Sequence, residues 1–561
     1  MNPIRSASVI LCLLPLVTTS AGALTQNAPV PGHAPRTPEQ WDRILADTLI
    51  EHDVVVPGRE RWLIGRNVRI AGNLRTDSGV IALRPGSTLR FIGADPDAYV
   101  GGGMGYEPRF SRDIGLWIGR QGVLDVRGTP KSSWNRTGRD PSWEADDEYY
   151  ITPTARDDYT VRRWHPGQPI PRVDPRLPSA EVINVTRDIV IRGPGHIHIH
   201  SELPQRIEYV TLRELGISNA ASEGPVEGRY ALHLHHGGSG TTGTIVRGVA
   251  AVDSRGRGFV PHGSHGISFI DVVSVNSYGE AFWWDLGDRT DNVLVDRLAV
   301  AGVEMPRRVS GRTSRYAAVT LGGGLGNVIR NSVAAGARGS ASAHGFEWPS
   351  RADNNGLAVW EFSEGNVAHN NRGSGIRLWF NNGAPHVIVN AITYRHGHAG
   401  IENGAYSNAH RYVNTFSFED RIIQHATSRH SSVDGGPARF QGIRVVAHSG
   451  PALVTGLLRL PPTNRTEFVD CSLQAGPGAP KVRVTTAQVR NPFVALFRNC
   501  GLQPADVDVV LPFPAALAGT SIIIENGDGA RWEITLDVAK QRTVVHKLDP
   551  GPSTAARPLM N

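Results

Sequence analysis

The fold of this chain is decided by a segment that first reads His196-Ile-His-Ile-His200 and returns as Ala231-Leu-His-Leu-His235 and Gly258-Phe-Val-Pro-His262. Each segment has five residues. A small residue usually stands at the first place, and apolar residues stand at the second and fourth places. The second residues recur at intervals of about 23 to 36 positions. Five more segments continue the series, the last with a one-residue shift: Ala281-Phe-Trp-Trp-Asp285, Ala317-Ala-Val-Thr-Leu321, Gly345-Phe-Glu-Trp-Pro349, Gly375-Ile-Arg-Leu-Trp379 and Ala399-Gly-Ile-Glu-Asn403.

Further short apolar stretches lie between these segments, among them Ile207–Leu212 and Thr244–Val249. A period of roughly 20–50 residues that contains several short strands is typical of a solenoid. The sequence therefore predicts an all-β fold, a parallel β-helix with about three strands per coil. A β-propeller is the rival fold, but the chain lacks blade-length repeats with a Trp-Asp or similar signature. Helical periodicity is nearly absent.

Composition and charge limit the class of protein. Hydrophobic residues make up 40% of the chain, which excludes a disordered protein. The chain carries 58 Lys and Arg against 52 Asp and Glu, a formal net charge of +6. The basic residues are scattered rather than clustered, so the surface suits an acidic partner and does not indicate nucleic acid. We expect a monomer.

The first 23 residues predict an export signal. Arg5 gives a positive start, Val9–Leu16 is an apolar run, and Ala21-Gly-Ala23 is a small-x-small cleavage pattern. The run is too short to span a bilayer, which needs roughly 20 apolar residues, and no later segment is long enough. The sequence therefore predicts a secreted or periplasmic protein that begins near Leu24 and has no membrane span.

The texture of the sequence divides the rest of the chain. We expect a linker over 24–52, a glycine-rich β module over 53–128, a long loop or lid excursion over 129–180, the β-helix over 181–450, and C-terminal β coils or a cap over 451–561. Outside the signal, the cysteines are Cys471 and Cys500. They either form one disulfide bond or remain two buried thiols, and two cysteines cannot by themselves be a metal framework.

Alternation along each strand turns the second and fourth places of a segment inward and the third and fifth places outward. With neighbouring coils about 4.8 Å apart, the outward residues form columns. The fifth places give His200, His235, His262, Asp285 and Trp379. The third places give His198, His233, Val260, Trp283, Glu347, Arg377 and, with the shift, Glu402. An exposed sheet does not need this composition for stability, so the strip is predicted to be a site.

Two chemistries fit the strip. His198, His200 and His233 can converge on a divalent metal through neutral imidazole nitrogens, with Asp285 as an added oxygen ligand. Alternatively, His235 or His262 is a general acid or base, oriented by Asp285 and assisted by Arg229. A third reading remains open, in which the excursion covers the strip and makes it a second core.

Substrate contacts are predicted from aromatic and charged side chains on the strip. Tryptophan faces suit sugar rings, and arginine binds uronate carboxylates. The candidates for binding substrate are Trp283, Glu347, Trp348, Arg377, Trp379 and Glu402, with Trp284, Arg229 and Arg257 beside them. Hydrolysis of a glycoside needs a carboxylate pair about 5 to 9.5 Å apart, whereas a lyase does not. The acidic residues available are Glu280, Asp285, Asp288, Glu347 and Glu402, and the sequence does not choose between the two reactions.

Several motifs together resemble a known family. They are Gly228-Arg-Tyr-Ala-Leu-His-Leu-His235, then Val260-Pro-His-Gly-Ser-His-Gly-Ile267, then Gly279–Gly287. This order is similar to the β-helix of the family of the cell migration-inducing and hyaluronan-binding protein and the cell-surface hyaluronidase. Upstream, Gly65–Gly93, Gly115-Leu-Trp-Ile-Gly-Arg-Gln-Gly122 and Lys131-Ser-Ser-Trp134 resemble the eight-glycine β module of that family. The resemblance covers about residues 50–300.

The resemblance implies a right-handed β-helix of the pectate-lyase type that acts on or binds hyaluronan or a related acidic glycan. The chain departs from the family pattern at five places: Ala231 replaces Pro, Ser264 replaces Thr, Glu280 replaces His, Asp285 replaces Glu, and Leu286 stands where an Asp follows. If the acidic pair of the family is catalytic, Asp285 alone serves here.

The sequence thus favours a secreted enzyme, a hydrolase or a lyase, that depolymerises an acidic uronate-containing polysaccharide. Arg229, His235, His262 and Asp285 are its predicted catalytic residues. The alternative is a non-catalytic glycan-binding or surface-adhesion β-helix, which needs only the aromatic and arginine contacts.

Overall fold

Three long parallel β-sheets make up most of the computed structural model, which describes residues 40–93, 113–219, 224–284, 289–305, 316–348, 358–378, 387–403, 410–424, 438–455, 466–485, 494–510, 515 and 518–549. All three sheets lie within the unit that runs from Trp41 onward. The described residues contain strands and short 3₁₀ turns but no α-helix, and so no helix that could cross a membrane.

The first sheet has sixteen parallel strands and ends in two antiparallel ones. Its strands are Arg43–Leu45, Arg61–Ile64, Val80–Leu83, Val123–Arg127, Arg206–Glu208, Ile245–Arg247, Ser268–Ile270, Leu294–Asp296, Gly324–Arg330, Ala358–Phe362, Val387–Val389, Arg411–Val413, Arg439–Gln441, Thr466–Val469, Val494–Arg498, Ser521–Glu525, Arg531–Asp537 and Arg542–Leu548. The second sheet consists of Leu49–Ile50, Val68–Ile70, Thr88–Phe91, Ile189–Arg192, Val210–Arg213, Ala250–Val252, Val273–Tyr278, Ala299–Glu304, Val333–Arg338, Val367–His369, Ile392–Tyr394, Phe416–Phe418, Arg444–Val446 and Ser472–Gln474.

The third sheet contains the segments that recur in the sequence. Its strands are Val54–Val55, Leu74–Thr76, Gly115–Arg120, His196–Ser201, Leu232–Gly238, Phe259–Ser264, Phe282–Trp283, Tyr316–Thr320, Ala343–Glu347, Ile376–Leu378, Ile401–Asn403, Ile422–Gln424, Leu453–Thr455, Val482–Val484 and Val507–Val509. Each coil takes one strand from each sheet in turn, which is a parallel β-helix. The predicted fold class, all-β and a right-handed parallel β-helix, is confirmed.

The interior of the coils is filled by the inward residues of all three sheets. Leu232, Phe259, Phe282 and Val319 are paired inward residues on successive strands of the third sheet, and all four are buried in one continuous core. This is the alternation expected for strands that bury one face, and it turns the intervening residues outward.

Most corners from the first sheet to the second contain a residue in the left-handed backbone region. Asn331, Asn390 and Asn414 occupy such corners with φ of 51°, 52° and 51°. Asparagine tolerates this conformation because its short polar side chain forms local hydrogen bonds. The Gly, Asn and Asp residues that punctuate the sequence are therefore the corners of the coils.

The N-terminal strands belong to the same three sheets as the rest of the β-helix. Asp125 pairs with Arg206 in the first sheet, and Trp117 pairs with His198 in the third. The division expected between 53–128 and 181–450 is thus crossed by continuous strand pairing. The break in the sequence texture arises because the excursion is inserted between two neighbouring coils.

The excursion packs on the outer face of the second sheet. It forms a small antiparallel sheet of Trp134–Asn135, Tyr149–Ile151, Arg162–Trp164 and Val182–Asn184. Trp134 and Val161 share a buried cluster with Val273 and Val275 of the second sheet. The indole nitrogen of Trp134 donates to the carbonyl of Arg297 at 2.9 Å. The excursion therefore covers small apolar residues of that sheet and gives it a second core.

A second hairpin and one covalent link complete the described structure. The hairpin pairs Ser218–Asn219 with Gly224–Pro225, and the two 3₁₀ turns are Ser239–Thr241 and Pro504–Asp506. Cys471 and Cys500 form a disulfide bond. Of the two states left open by the sequence, the structure has the bonded one.

The glycine run at residues 322–326 allows two tryptophans to pack inside the coils. Trp284 donates its indole N–H to the carbonyl of Gly323, and Trp360 donates to the carbonyl of Gly322, both at 2.9 Å. The two rings meet edge to face with centroids 4.7 Å apart. A Cβ atom on Gly322 would lie 1.6 Å from Cδ1 of Trp284. The run is therefore a packing requirement of the core.

Gly322→Ala should destabilise the protein, because the added methyl group forces Trp284 out of its position. Overpacking of this kind costs about 1–3 kcal/mol. We expect a lower midpoint in urea unfolding followed by tryptophan fluorescence. Gly527→Ala is the control, since its Cβ would meet only Oδ1 of Asn499 at 3.5 Å. Equal midpoints for the two variants would contradict the packing role.

Candidate functional site

The outward residues of the third sheet form a column along the β-helix, here named the outward strip. Its members, in coil order, are Trp117, His198, His233, Val260, Trp283, Thr320, Glu347, Arg377 and Glu402. The column contains every third-place residue predicted from the segments, and it adds Trp117 and Thr320. In the segment Ala317–Leu321, Thr320 at the fourth place pairs with Glu347, because this segment is offset by one residue from the others.

Five histidines gather at the N-terminal end of the strip. His235 pairs with His262 across neighbouring strands, and ring centroids of adjacent members lie 4.9 to 5.8 Å apart. His236 extends the group at the exposed edge, with its ring 4.3 Å from that of His235. The histidine cluster consists of His198, His200, His233, His235 and His262.

Three of these rings can share one ligand. One nitrogen from each of His233, His235 and His262 lies within 4.8 Å of the others, and all three side chains are buried. Among the described residues, the predicted ligand trio of His198, His200 and His233 does not form such a group. The trio in the structure thus joins one predicted metal ligand with two predicted catalytic histidines.

Backbone and ring contacts orient the cluster. Nδ1 of His233 donates to the carbonyl of Gly228 at 3.3 Å, which places the lone pair of the neutral ring on Nε2. Nδ1 of His200 lies 3.2 Å from Nδ1 of His235, so one of these nitrogens donates to the other. His198 stacks on the indole of Trp117 with centroids 5.0 Å apart.

Burial favours the neutral form of four rings of the cluster, those of His198, His200, His233 and His235. Burial, with the neighbouring rings of His262 and His236, lowers the pKa of His235 to about 2. Burial likewise holds the pKa values of His198 and His233 well below the ordinary value for histidine. Neutral imidazoles have the lone pairs that metal binding and proton acceptance require.

Arg229 does not reach the outward surface. Its guanidinium group binds Asp113 through Nε at 3.1 and 3.2 Å and through Nη2 at 2.7 Å, and neither side chain is exposed to solvent. His196 lies on the same carboxylate, with Nε2 2.9 Å from Oδ1. Arg229 was expected to bind a substrate carboxylate. In the structure its guanidinium group binds the carboxylate of Asp113 instead.

The buried ion pair of Asp113 and Arg229 keeps the carboxyl group of Asp113 ionised. Burial alone would raise the pKa of Asp113, but the hydrogen bond from His196 and the positive charge of Arg229 hold that pKa well below its usual range. The guanidinium group also lies 5.1 Å from the ring centroid of Trp117. Asp113, Arg229 and His196 therefore form the support on which the first residues of the strip rest.

Trp283 lies in the middle of the strip and is covered on one face. The guanidinium carbon of Arg257 is 3.6 Å from the indole centroid, and Tyr230 meets the ring edge to face at 5.7 Å. Nε of Arg257 in turn donates to Glu280 at 2.9 Å. Trp283 and Arg257, both predicted to contact sugar, thus contact each other.

A second cluster, the carboxylate cluster, lies at the C-terminal end of the strip. Arg377 bridges two acids, with Nη1 3.3 Å from Oε1 of Glu347 and Nε 3.5 Å from Oε2 of Glu402. The hydroxyl of Ser374 donates to Glu402 at 2.9 Å. Nδ1 of His344 lies 2.9 Å from the backbone N of Ser374, and its Nε2 lies 3.2 Å from Nη1 of Arg377, so the neutral ring accepts a hydrogen bond from only one of these two donors.

The exposed edge of the carboxylate cluster is His398. Its Nδ1 lies 3.2 Å from Oγ of Ser374 and 3.5 Å from Oε2 of Glu402, and about half of its side chain is exposed (52%). Glu347 and Glu402 themselves are nearly buried. A ligand in contact with His398 is therefore adjacent to a carboxylate that a hydroxyl and a guanidinium group hold in place.

The remaining predicted site residues are Trp348, Asp285 and Trp379. Trp348 is 1% exposed and packs inside the coils against Phe362, with centroids 5.2 Å apart, so it offers no face to a sugar. Asp285 and Trp379 lie outside the described residues.

The structure adds residues that the segment pattern did not select: Asp113, His196, His344, Ser374 and His398. His344 and Ser374 each stand immediately before a recurring segment, and this position is a signal that the sequence offered. Asp113 offered none, because its partners His196 and Arg229 follow 83 and 116 residues later.

Comparison with known proteins bears on the segment that contains most of the strip. Residues 193–382 match the family model described as the CEMIP beta-helix. This stretch of the chain is similar to the CEMIP beta-helix. The family resemblance seen in the sequence is therefore confirmed, and the matched residues run from His196 and the histidine cluster to Arg377. No curated protein matches the chain.

Proposed function

We propose that this protein is a secreted enzyme that hydrolyses an acidic, uronate-containing glycan of the hyaluronan type, and that the outward strip binds the chain. The observation that carries the proposal is the pair Glu347 and Glu402, held on either side of Arg377 within the strip. The CEMIP beta-helix over residues 193–382 supports the class of glycan.

The spacing of the two acids suits glycoside hydrolysis. Glu347, Arg377 and Glu402 stand on three successive strands, so the backbones of the acids are about 9.6 Å apart at 4.8 Å per strand. Both side chains lean toward Arg377. Hydrolases use carboxyl groups separated by about 5 to 9.5 Å.

The two acids differ in one contact, and we assign their roles from it. Arg377 contacts both, but Glu402 also accepts a hydrogen bond from the hydroxyl of Ser374, which stabilises its ionised form further. Glu402 is therefore the base that takes a proton from the attacking water. Glu347 then protonates the glycosidic oxygen as the C–O bond breaks. Water adds across the bond, and the products are two shorter chains with saturated uronates.

A binding protein is the alternative that the strip also permits. It would use Trp283, the histidine cluster and Arg377 without any turnover. Its affinity would not depend on the protonation state of the two acids. The two functions therefore differ in whether the glycan becomes shorter.

Incubation of the purified protein with hyaluronan, chondroitin and pectate tests the proposal. We expect shorter chains and new reducing ends from at least one uronate glycan, without absorbance in the unsaturated-uronate band, because hydrolysis leaves saturated ends. New absorbance in the unsaturated-uronate band would show that the enzyme cleaves by elimination, as a lyase, and would contradict hydrolysis. Unchanged chain length on all three glycans, with measurable affinity, would support the binding protein instead.

A further inference from the structure

The histidine cluster has the composition of a metal centre rather than of a packed surface. His233, His235 and His262 bring three ring nitrogens within 4.8 Å of one another. Three imidazoles that converge on one point are the donor set of zinc and of neighbouring transition metals.

The surroundings also resemble the outer partners that metal-binding histidines use. A ligating histidine usually donates its other ring N–H to a carbonyl, a carboxylate or another acceptor, which fixes the ring. The carbonyl of Gly228 accepts from Nδ1 of His233 and directs Nε2 into the cluster. Nδ1 of His200 lies 3.2 Å from Nδ1 of His235 and can accept a hydrogen bond from it in the same way.

We propose that His233, His235 and His262 bind one divalent transition-metal ion of the Zn²⁺ class. Nε2 of His233 and Nε2 of His235 are two of the ligands, and a ring nitrogen of His262 is the third. In this state Nδ1 of His235 donates to His200. Metal–nitrogen bonds of about 2.0–2.1 Å require small rotations that draw the three nitrogens together.

Three protein ligands leave a coordination position open for a small anionic group. The arginines that the sequence offered to a uronate already bind protein carboxylates: Arg229 binds Asp113, Arg257 binds Glu280, and Arg377 binds both Glu347 and Glu402. A dication at the cluster would add the positive charge that a uronate carboxylate needs. This last step rests on the proposed function, whereas the metal site does not.

Metal binding by the full chain, without any glycan, tests the inference. The chelator-treated protein is titrated with Zn²⁺ by calorimetry and with Co²⁺ by visible absorption. We expect one ion per chain and the intense bands of four-coordinate cobalt. X-ray absorption of the zinc form should show three imidazole ligands.

Variants separate this site from other histidines of the strip. His262→Ala should weaken Zn²⁺ binding at least about 100-fold, since loss of an outer partner alone costs 10- to 100-fold. His398→Ala, a control in the carboxylate cluster, should bind as the unmodified chain does. If His262→Ala does not fold, the imidazole count from X-ray absorption of the unmodified protein decides.

Three results would overturn the metal site: a chain that binds no stoichiometric Zn²⁺, Zn²⁺ held by fewer than three imidazoles, or equal Zn²⁺ affinity in folded His262→Ala. Each is independent of glycan cleavage. A chain that binds zinc as described but shortens no glycan would contradict the proposed function and leave the metal site standing.

Discussion

Glu347→Gln should lower the rate of glycan cleavage by about 10²–10⁴-fold, which is the usual contribution of a general acid. Glutamine keeps the shape of the side chain and can still contact Arg377, so the strip should still bind glycan. We expect the affinity for a hyaluronan oligosaccharide to change by less than about threefold. Chain-length analysis measures the first quantity, and calorimetry measures the second.

Glu304→Gln is the matched control for this variant. Glu304 also forms an ion pair with an arginine, Arg338, at 2.7 Å, but it lies on the second sheet, away from the strip. It should cleave glycan at the unmodified rate. Full activity in Glu347→Gln, or an equal loss in both variants, would remove Glu347 from the chemistry.

Arg229→Met should lower the free energy of unfolding by about 3–5 kcal/mol, because it leaves Asp113 as a buried charge without its guanidinium partner. Removing one partner of a buried ion pair destabilises a protein far more than replacing both partners by apolar residues does. The effect should appear as a lower urea midpoint or as failure to accumulate folded protein. A residue that acted only on substrate would leave the midpoint unchanged.

The double change Asp113→Asn with Arg229→Met separates the buried charge from lost packing. It removes both charges, so it should recover a large part of the stability lost in Arg229→Met. Arg444→Met is the surface control, since Arg444 is exposed on the second sheet. A double variant no more stable than Arg229→Met would contradict the account of a charge pair.

Strand alternation and spacing predicted much of the fold and the order of the strip. The third-sheet register runs from His198 through His233 to Glu347, Arg377 and Glu402, as the segments indicated. Alternation also explains the burial of Trp348, which stands at the fourth, inward place of its segment. Its assignment to sugar binding went against the rule that built the strip.

Other features depend on contacts that no local pattern contains. Arg229 comes shortly before the strand Leu232–Gly238, and this position predicted that it contacts substrate. Asp113, 116 residues earlier in the chain, binds it inside the protein. The histidine trio that converges in the structure differs from the predicted ligand trio for a related reason. Pairing of His235 with His262 is a matter of register, whereas the direction in which each ring turns depends on partners such as Gly228.

The most direct test of the central claim is the structure of Glu347→Gln with a bound hyaluronan oligosaccharide. The account predicts a glycan that lies along the outward strip, with a glycosidic oxygen within hydrogen-bonding distance of residue 347 and with Glu402 on the other side of the same bond. An oligosaccharide bound on the first or second sheet, or one on the strip with no glycosidic bond near Glu347 and Glu402, would contradict it.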